Sequence, residues 1–391
     1  MRCLHWVLIG GTRLEAMGWT PPPIAARMCH SGDSIDHADS RSSPNGNQDD
    51  RYGSGEERVS KNVFQVHGVD AHGKVVLRKQ LRRSRVAAFF ANLPACLVGM
   101  EACGSAHYWV RELEKLGHTV KLMAPQFVKP YVKSNKHDAA DAEAICEAVT
   151  RPSMRFVPIK NIEQQAVLSL HRARQGFVKA RTAQANQIRG LLSEFGIVIP
   201  QGIAYVTERL PRLMEESADR LPEAFRVLIY RLLDHLRDLH DQVAAIEEEI
   251  RAWHRKNELS QRLEKIPGLG YLTATAIVAT IGNAANFRSG RELAAWLGLV
   301  PRQHSSGGKQ NLLGISKRGD SYLRTLLIHG ARSVLYRAMQ KLDPRNWAFT
   351  VAIRRNKNVA AVALANKSAR IIWALLAHNR QYQPNYGAVA A

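Results

Sequence analysis

The run Lys136-His137-Asp138-Ala139-Ala140-Asp141-Ala142 sets two aspartates three residues apart, which puts both carboxylates on one face of a helix. Like charges so placed repel. A solvated helix tolerates that cost and is the commoner explanation, but the same spacing gathers oxygen ligands for magnesium. Glu101 directly follows the apolar run Cys96-Leu97-Val98-Gly99-Met100, and a carboxylate at the end of a buried strand usually needs a cation or a catalytic role. A strand-end glutamate with a helical aspartate pair suits two-metal phosphoryl transfer. A second constellation is Ser305-Ser306-Gly307-Gly308-Lys309. A hydroxyl flanked by glycines in a basic loop can approach a phosphate closely, although a Ser-Gly-Gly turn is more often only a turn. Serine alone is a poor nucleophile; it needs a base or metal and positive charge on the phosphoryl oxygens. Arg302, Lys309, Lys317 and Arg318 could supply that charge, chiefly as backbone clamps. Finally, Pro267-Gly268-Leu269-Gly270 reads as a hairpin between helices, with Gly268 and Gly270 exposing amides to a phosphate.

The elements that must position these groups follow from periodicity. Alternation over Val63–Val69, a turn at Asp70-Ala71-His72-Gly73 and the run Lys74–Leu81 predict a β-hairpin. A short helix at Val86–Leu93, the apolar strand before Glu101, a helix around Ala106–Leu116 and a strand at Thr119–Met123 complete an α/β layer. From Ile159 to Trp253 the pattern is helical, and Leu232, Leu236, Leu239, Val243, Ile246 and Ile250 fall at alternating steps of four and three. This short coiled-coil stripe suits a hairpin within one chain as well as a dimer seam. Leu263–His378 is mainly helical too, and Trp296, Trp347 and Trp373 in it read as core.

The chain of 391 residues is 45% hydrophobic and 23% charged, enough for two or three domains with cores. Its formal net charge of +21 makes a polyanion the favoured partner. The charge is uneven. Residues 1–58 hold six Lys or Arg against eight Asp or Glu, whereas residues 288–378 hold sixteen against three. His171, Arg172, Arg174, Lys179, Arg181 and Arg189 add a basic helical region that could track RNA or DNA, with a solvated face nearly as good an account. The five cysteines are widely spaced with no Cys-x-x-Cys pair, so neither a disulfide framework nor a zinc site is indicated. Leu4–Gly11 is apolar but shorter than a membrane span and lacks a cleavage signal, so a soluble, non-membrane protein is expected.

Taken together, Lys61–Asp70, Gly99-Met100-Glu101-Ala102 and Lys136–Ala142 resemble the DEDD transposases of insertion-sequence family 110, subgroup 1111. Pro267–Gly270, Leu297–Arg302, Ser305–Lys309 and Gly314–Asp320 are similar to the second half of that family, in the right order. The resemblance runs from Lys61 to about His378. With the polar run from His30 to Arg58 read as disordered, the expected architecture is α/β plus all-α in four parts: an unrelated, mostly disordered head (1–60) and, as the resemblance implies, a RuvC-like RNase H domain (61–158), a helical coiled-coil region (159–256) and a helical C-terminal transposase domain (257–391). The resemblance also implies that Glu101, Asp138 and Asp141 hold Mg2+ as three of a four-carboxylate set. Ser306, with Ser305 the other candidate, would be the nucleophile for a covalent phosphoserine. The implied partners are DNA (element ends and target), a structured guide RNA and further copies of the chain in a dimer or tetramer with composite sites, in the bacterial cytoplasm on the nucleoid.

The sequence departs from the family pattern at one place. The first aspartate of the family lies in a Gly-Ile-Asp-x-x-Lys-Asn strand, and Arg58 stands at that position, in Glu56–Asn62. Arginine cannot ligate magnesium, and nothing apolar precedes it, so the first strand is expected to be missing and this copy inactive. Glu56 shares the face of Arg58 only if the segment is a strand, for which it is poorly suited. The alternatives are a catalytically dead relic that still binds DNA or RNA, and a RuvC-like metal-dependent nuclease that works without the serine.

Overall fold

The computed structural model describes residues 4–9 (main chain only), 62–133, 137–341 and 347–384. The polar head with Glu56 and Arg58, together with Lys61 and Lys136, lies outside the described residues. The chain forms two compact units, Met1–Ile159 and Lys160–Ala391.

The first unit is built on a six-stranded sheet of β1 (Leu4–Ile9), β2 (Val63–Val69), β3 (Val75–Arg82), β4 (Leu97–Glu101), β5 (Thr119–Met123) and β6 (Phe156–Val157), in the spatial order β3-β2-β1-β4-β5-β6. β2 and β3 are the antiparallel hairpin expected from the alternation. The first strand was expected to be missing; instead a strand from the head, Leu4–Ile9, lies at the centre of the sheet, parallel to β2 and antiparallel to β4. The physical reason is a ladder demand. An open gap between β2 and β4 would leave two rows of backbone N–H and C=O groups unpaired under a covering helix. The strand-prone run Leu-His-Trp-Val-Leu-Ile meets the demand, and it contains no acidic residue.

Side chains alternate along β4. Val98 and Met100 join Phe64, Val66, Phe90 and Trp109 in one fully buried cluster, closed over by α1 (Val86–Ala91) and α2 (Ala106–Lys115). On the other side, α3 (Pro125–Val128) and α4 (Asp138–Val149) close a second cluster around Met123, Ile145 and Val149. Gly99 makes this possible, since a Cβ there would sit 3.0 Å from Val149 Cβ. The aspartate-bearing helix is thus seated by its C-terminal turn against the strand that ends in Glu101.

The second unit is helical. α5 (Ile162–Ser193) starts at a capping box, with Asn161 Oδ1 accepting from the Gln164 amide at 2.7 Å and Gln164 Oε1 from the Asn161 amide at 3.0 Å. After α6 (Ile203–Glu216), α7 (Glu223–Lys256) returns along α5. Trp253 Nε1 donates to Glu163 at 2.6 Å at one end, and Leu192 shares a cluster with Ile229 and Leu233 at the other, so the two helices run antiparallel. The stripe from Leu236 to Ile250 is buried along α7, which packs chiefly against α5 and also against α9, so this stripe is covered within one chain.

There follow α8 (Glu258–Glu264), α9 (Tyr271–Ile281), α10 (Gly290–Trp296), the two-stranded hairpin β7 (Pro301–Gln303) and β8 (Leu312–Ile315), α11 (Ser321–Lys341), α12 (Trp347–Arg354) and α13 (Lys357–Ala377). α13 is long and apolar enough to cross a membrane by length and composition. Its Ala360, Ala365, Ala369 and Ile372 are instead buried, in the packing with α10, α11 and α12.

The β7–β8 hairpin grows from a backbone weld. Gly298 and Gly319 both have positive φ, and a Cβ on them would lie 2.1 Å from Arg318 O and 1.9 Å from Trp296 O. Lys317 N donates to Gly298 O at 3.2 Å and Ser316 N to Val300 O at 2.8 Å, while Arg324 Nη1 reaches Leu297 O and Arg318 O, each at 3.1 Å. Asp320 Oδ1 then caps α11 by accepting from the amides of Tyr322 and Leu323 at 2.8 and 3.1 Å. Gly319→Ala is expected to cost at least about 2 kcal/mol, because strain at a positive φ adds to a backbone clash. Differential scanning calorimetry should show it as a fall of about 4–8 °C in Tm; an unchanged Tm would contradict the weld.

Candidate active site

α4 begins at His137, whose Nδ1 accepts from the Ala139 amide at 3.2 Å. Asp138 and Asp141 both sit in the first turn, where unpaired amides favour negative charge. Both are half-buried, as is Glu101 at the end of β4. The same helix carries Glu143 and Glu147 toward Lys133, at 3.3 and 3.6 Å, and Glu147 toward Arg151 at 2.5 Å. Among the described residues no three His, Cys, Asp or Glu side chains form a group able to hold a metal ion. The three predicted carboxylates are hard oxygen donors of the kind magnesium takes, and α4 packs against β4, yet the structure does not draw them into one cluster. The residues as arranged do not fit the metal, and no step is derived through it.

The predicted serine loop is the tip of the β7–β8 hairpin. Ser306-Gly307-Gly308-Lys309 closes it with Lys309 N donating to Ser306 O at 3.0 Å and with φ of +56° and +77° at the two glycines, a type I′ turn. The two serines differ. Ser305 Oγ accepts from Gln303 Nε2 at 2.9 Å and from the Asn311 amide at 3.3 Å, which holds the loop's neck. Ser306 Oγ takes no hydrogen bond among the described residues and is exposed. Arg302 and Lys309 are exposed on the hairpin, and Lys317 and Arg318 are exposed at its base. Lys317 sits at φ +54°, in the left-handed region.

Gly268 and Gly270 part company. A Cβ on Gly268 would lie 2.6 Å from Gly330 O, and one on Gly330 1.9 Å from Gly268 O, so Gly268 serves the close passage of α11 over the turn. Gly270 stays exposed at the start of α9, with nothing within 4 Å of an added Cβ.

Residues 59–197 match a DEDD transposase domain of the IS110 type, and residues 260–345 match the domain described as Transposase IS116/IS110/IS902 family. The chain is 56% identical to "Probable family 20 transposase" of Pseudomonas aeruginosa, over 83% of this chain and 97% of that protein. It is 45% identical to "Transposase for insertion sequence element IS1111A" of Coxiella burnetii (83% and 90%) and 45% identical to "Transposase for insertion sequence element IS1328" of Yersinia enterocolitica (81% and 94%). The chain belongs to the IS110 family of transposases. It is by descent an insertion-sequence transposase, a class that acts on DNA.

Within this transposase the basic region of α5 divides by use. His171 is buried, not displayed: its Nδ1 meets Tyr322 Oη at 2.8 Å and its Nε2 meets Thr275 Oγ1 at 3.0 Å. Thr275 Oγ1 donates to Tyr271 O at 2.7 Å, so it accepts from His171 Nε2–H, and Nδ1 accepts from the tyrosine hydroxyl. Arg174 is paired with Glu247 at 2.5 Å. These two are joints of the helical unit; Arg172 and Lys179 remain exposed. Sequence reading also missed His254, which joins Ser260 Oγ at 2.7 Å and Glu264 Oε2 at 2.9 Å. That spacing has the order of a nucleophile relay, but Ser260 is fully buried and offers no attack path. Only the paired polar types, far apart in the chain, would have signalled the His171 joint.

Burial, with Arg174 nearby, lowers the His171 pKa from its ordinary 6.5 to about 4. Below pH 6.5 the unfolded chain therefore gains a proton that the folded chain refuses, and stability falls as pH drops toward 4, by at most about 3 kcal/mol. Urea melts across this range should show the loss, and His171→Gln should flatten it; an equal slope in the variant would remove His171 as its source.

Proposed function

We propose that this transposase cuts and rejoins DNA through Ser306, working from a RuvC-like RNase H unit and a helical serine unit, with a guide RNA selecting the sites. The reading rests on one observation: Ser306 Oγ stands free among the described residues at an exposed, glycine-sharpened tip, while Ser305 Oγ is engaged in the loop's neck. In the proposed step Ser306 Oγ bonds to the scissile phosphorus, one P–O bond to the deoxyribose breaks, and the serine proton ends on the leaving oxygen. Arg302, Lys309, Lys317 and Arg318 supply positive charge around the phosphoryl oxygens, and Gly270 offers an open helix start beside the DNA backbone. Glu101, Asp138 and Asp141 are proposed to serve Mg2+ only after rearrangement. The sites are composite between copies in a dimer or tetramer, in the cytoplasm on the nucleoid.

A second reading has its own support. β1 brings no carboxylate to the centre of the sheet, and no three-ligand cluster exists among the described residues; both favour a copy that binds DNA or RNA without turning over. Incubation with element-end DNA and Mg2+, followed by denaturing electrophoresis, separates the readings. A protein–DNA adduct lost in Ser306→Ala and kept in Ser305→Ala supports the serine reaction. Cleavage that survives Ser306→Ala indicates a plain nuclease, and binding with neither adduct nor cleavage indicates the relic.

Affinity for DNA should also fall steeply with salt. If 6–10 phosphates are contacted, binding drops about 10³- to 10⁵-fold between 50 and 200 mM salt. A flat titration by fluorescence anisotropy would remove the basic C-terminal unit from the DNA-binding role.

A further inference from the structure

Residues 321–341 and 347–377, which make up α11, α12 and α13, carry nine lysines and arginines and no aspartate or glutamate. Among the described residues none of the nine meets a carboxylate. α7 shows the opposite habit: Arg237 pairs with Asp234 at 3.1 Å, and Arg251 and Arg255 pair with Glu248 at 2.5 and 2.8 Å. A helix exposed merely for solubility interleaves its signs as α7 does; three helices with cations alone carry a standing field for a polyanion.

The same helices also carry exposed rings. Trp347, read from sequence as core, is 43% exposed, with Lys367 Nζ 5.1 Å from its ring centroid. Trp296 and Trp373 do pack on the core. Tyr336 is 66% exposed and lies one turn beyond Arg332, whose Nη2 donates to Asn358 Oδ1 at 3.3 Å, so this side of α11 abuts the first turn of α13. Across the junction of α12 and α13, Ile353 to Val359 are seven exposed residues in a row, among them Arg354, Arg355 and Lys357. Val351, Arg354 and Arg355 line a shallow, open depression there.

Trp347 and Arg354, seven residues apart, share one side of α12. We propose that this side of α12 and its junction with α13 bind an unpaired nucleic-acid strand, its phosphates held by Arg354, Arg355 and Lys357 and a base stacked on Trp347. Cations alone would suit a duplex. An exposed ring set beside them suits a base whose face is free, because stacking requires unpaired nucleotides and tolerates any sequence. The inference rests on the reading that the chain handles nucleic acid, not on the Ser306 reaction.

The test measures binding without cleavage, so failure of the serine chemistry leaves it intact. The full chain is titrated by fluorescence anisotropy against labelled oligo-dT, oligo-rU and a duplex of equal length. Trp347→Ala should weaken single-strand binding about 5- to 100-fold and duplex binding less than about 2-fold. Trp347→Phe, which keeps a ring, should retain most of the affinity and melts as the parent does, which guards against a folding defect. Replacing Arg354 and Arg355 together by Gln should lower the slope of log K against log salt by about 1.4 on single strands. Tighter oligo-rU binding names RNA as the strand and tighter oligo-dT binding names DNA; either supports the proposal. Single-strand affinity unchanged in Trp347→Ala, or equal losses on strand and duplex, overturns it.

Discussion

The approach of one main chain to another at Gly298 and Gly319 is the constraint on which the serine hairpin depends. Where a carbonyl oxygen lies about 2 Å from the place a Cβ would take, only glycine fits, and the two turns flanking β7 and β8 become a single rigid base. Arg324 ties off two carbonyls of that base, and Asp320 starts α11 from it. A flexible, glycine-tipped loop thereby acquires a fixed root, which is what a hydroxyl meant to meet a phosphate needs.

A second constraint organises the helical unit from inside. The directional chain from Tyr322 to His171 to Thr275 to the Tyr271 carbonyl joins α11, α5 and α9 through groups whose donors and acceptors are all used. It begins two residues after Asp320, so the helix that roots the serine hairpin is also pinned to the long helical pair. Burial keeps His171 neutral, and the joint couples the unit's stability to pH. Outside this packed interior the cations of α11–α13 meet no carboxylate among the described residues, and charge separates the surface from the core.

In the sheet unit much was readable in advance. The β2–β3 hairpin, β4 ending in Glu101, α2, β5 and the helix opening at Asp138 follow from alternation and from the i, i+3 pattern. Leu4–Ile9 did not: a hexapeptide separated from β2 by a long polar stretch carries no local sign of its partner, because strand pairing is a long-range choice. The heptad-spaced stripe of α7 announced burial but not against what. Trp347 looked like core because its neighbours in sequence are apolar, though an exposed ring at a helix start has the same neighbours.

The sequence by itself determined the family through the resemblance of its motifs, and residue types and spacing determined the candidate carboxylates and serines, the excess of positive charge, and most helices with the strands β2 to β5, since these depend on local chemistry and short-range periodicity. Tertiary structure alone decided that Ser305 is tied and Ser306 free, that Gly268 packs while Gly270 stays open, that His171 is buried, and that Glu101, Asp138 and Asp141 are not gathered into one cluster. Those outcomes turn on distances between residues remote in the chain, and no local pattern encodes a distance.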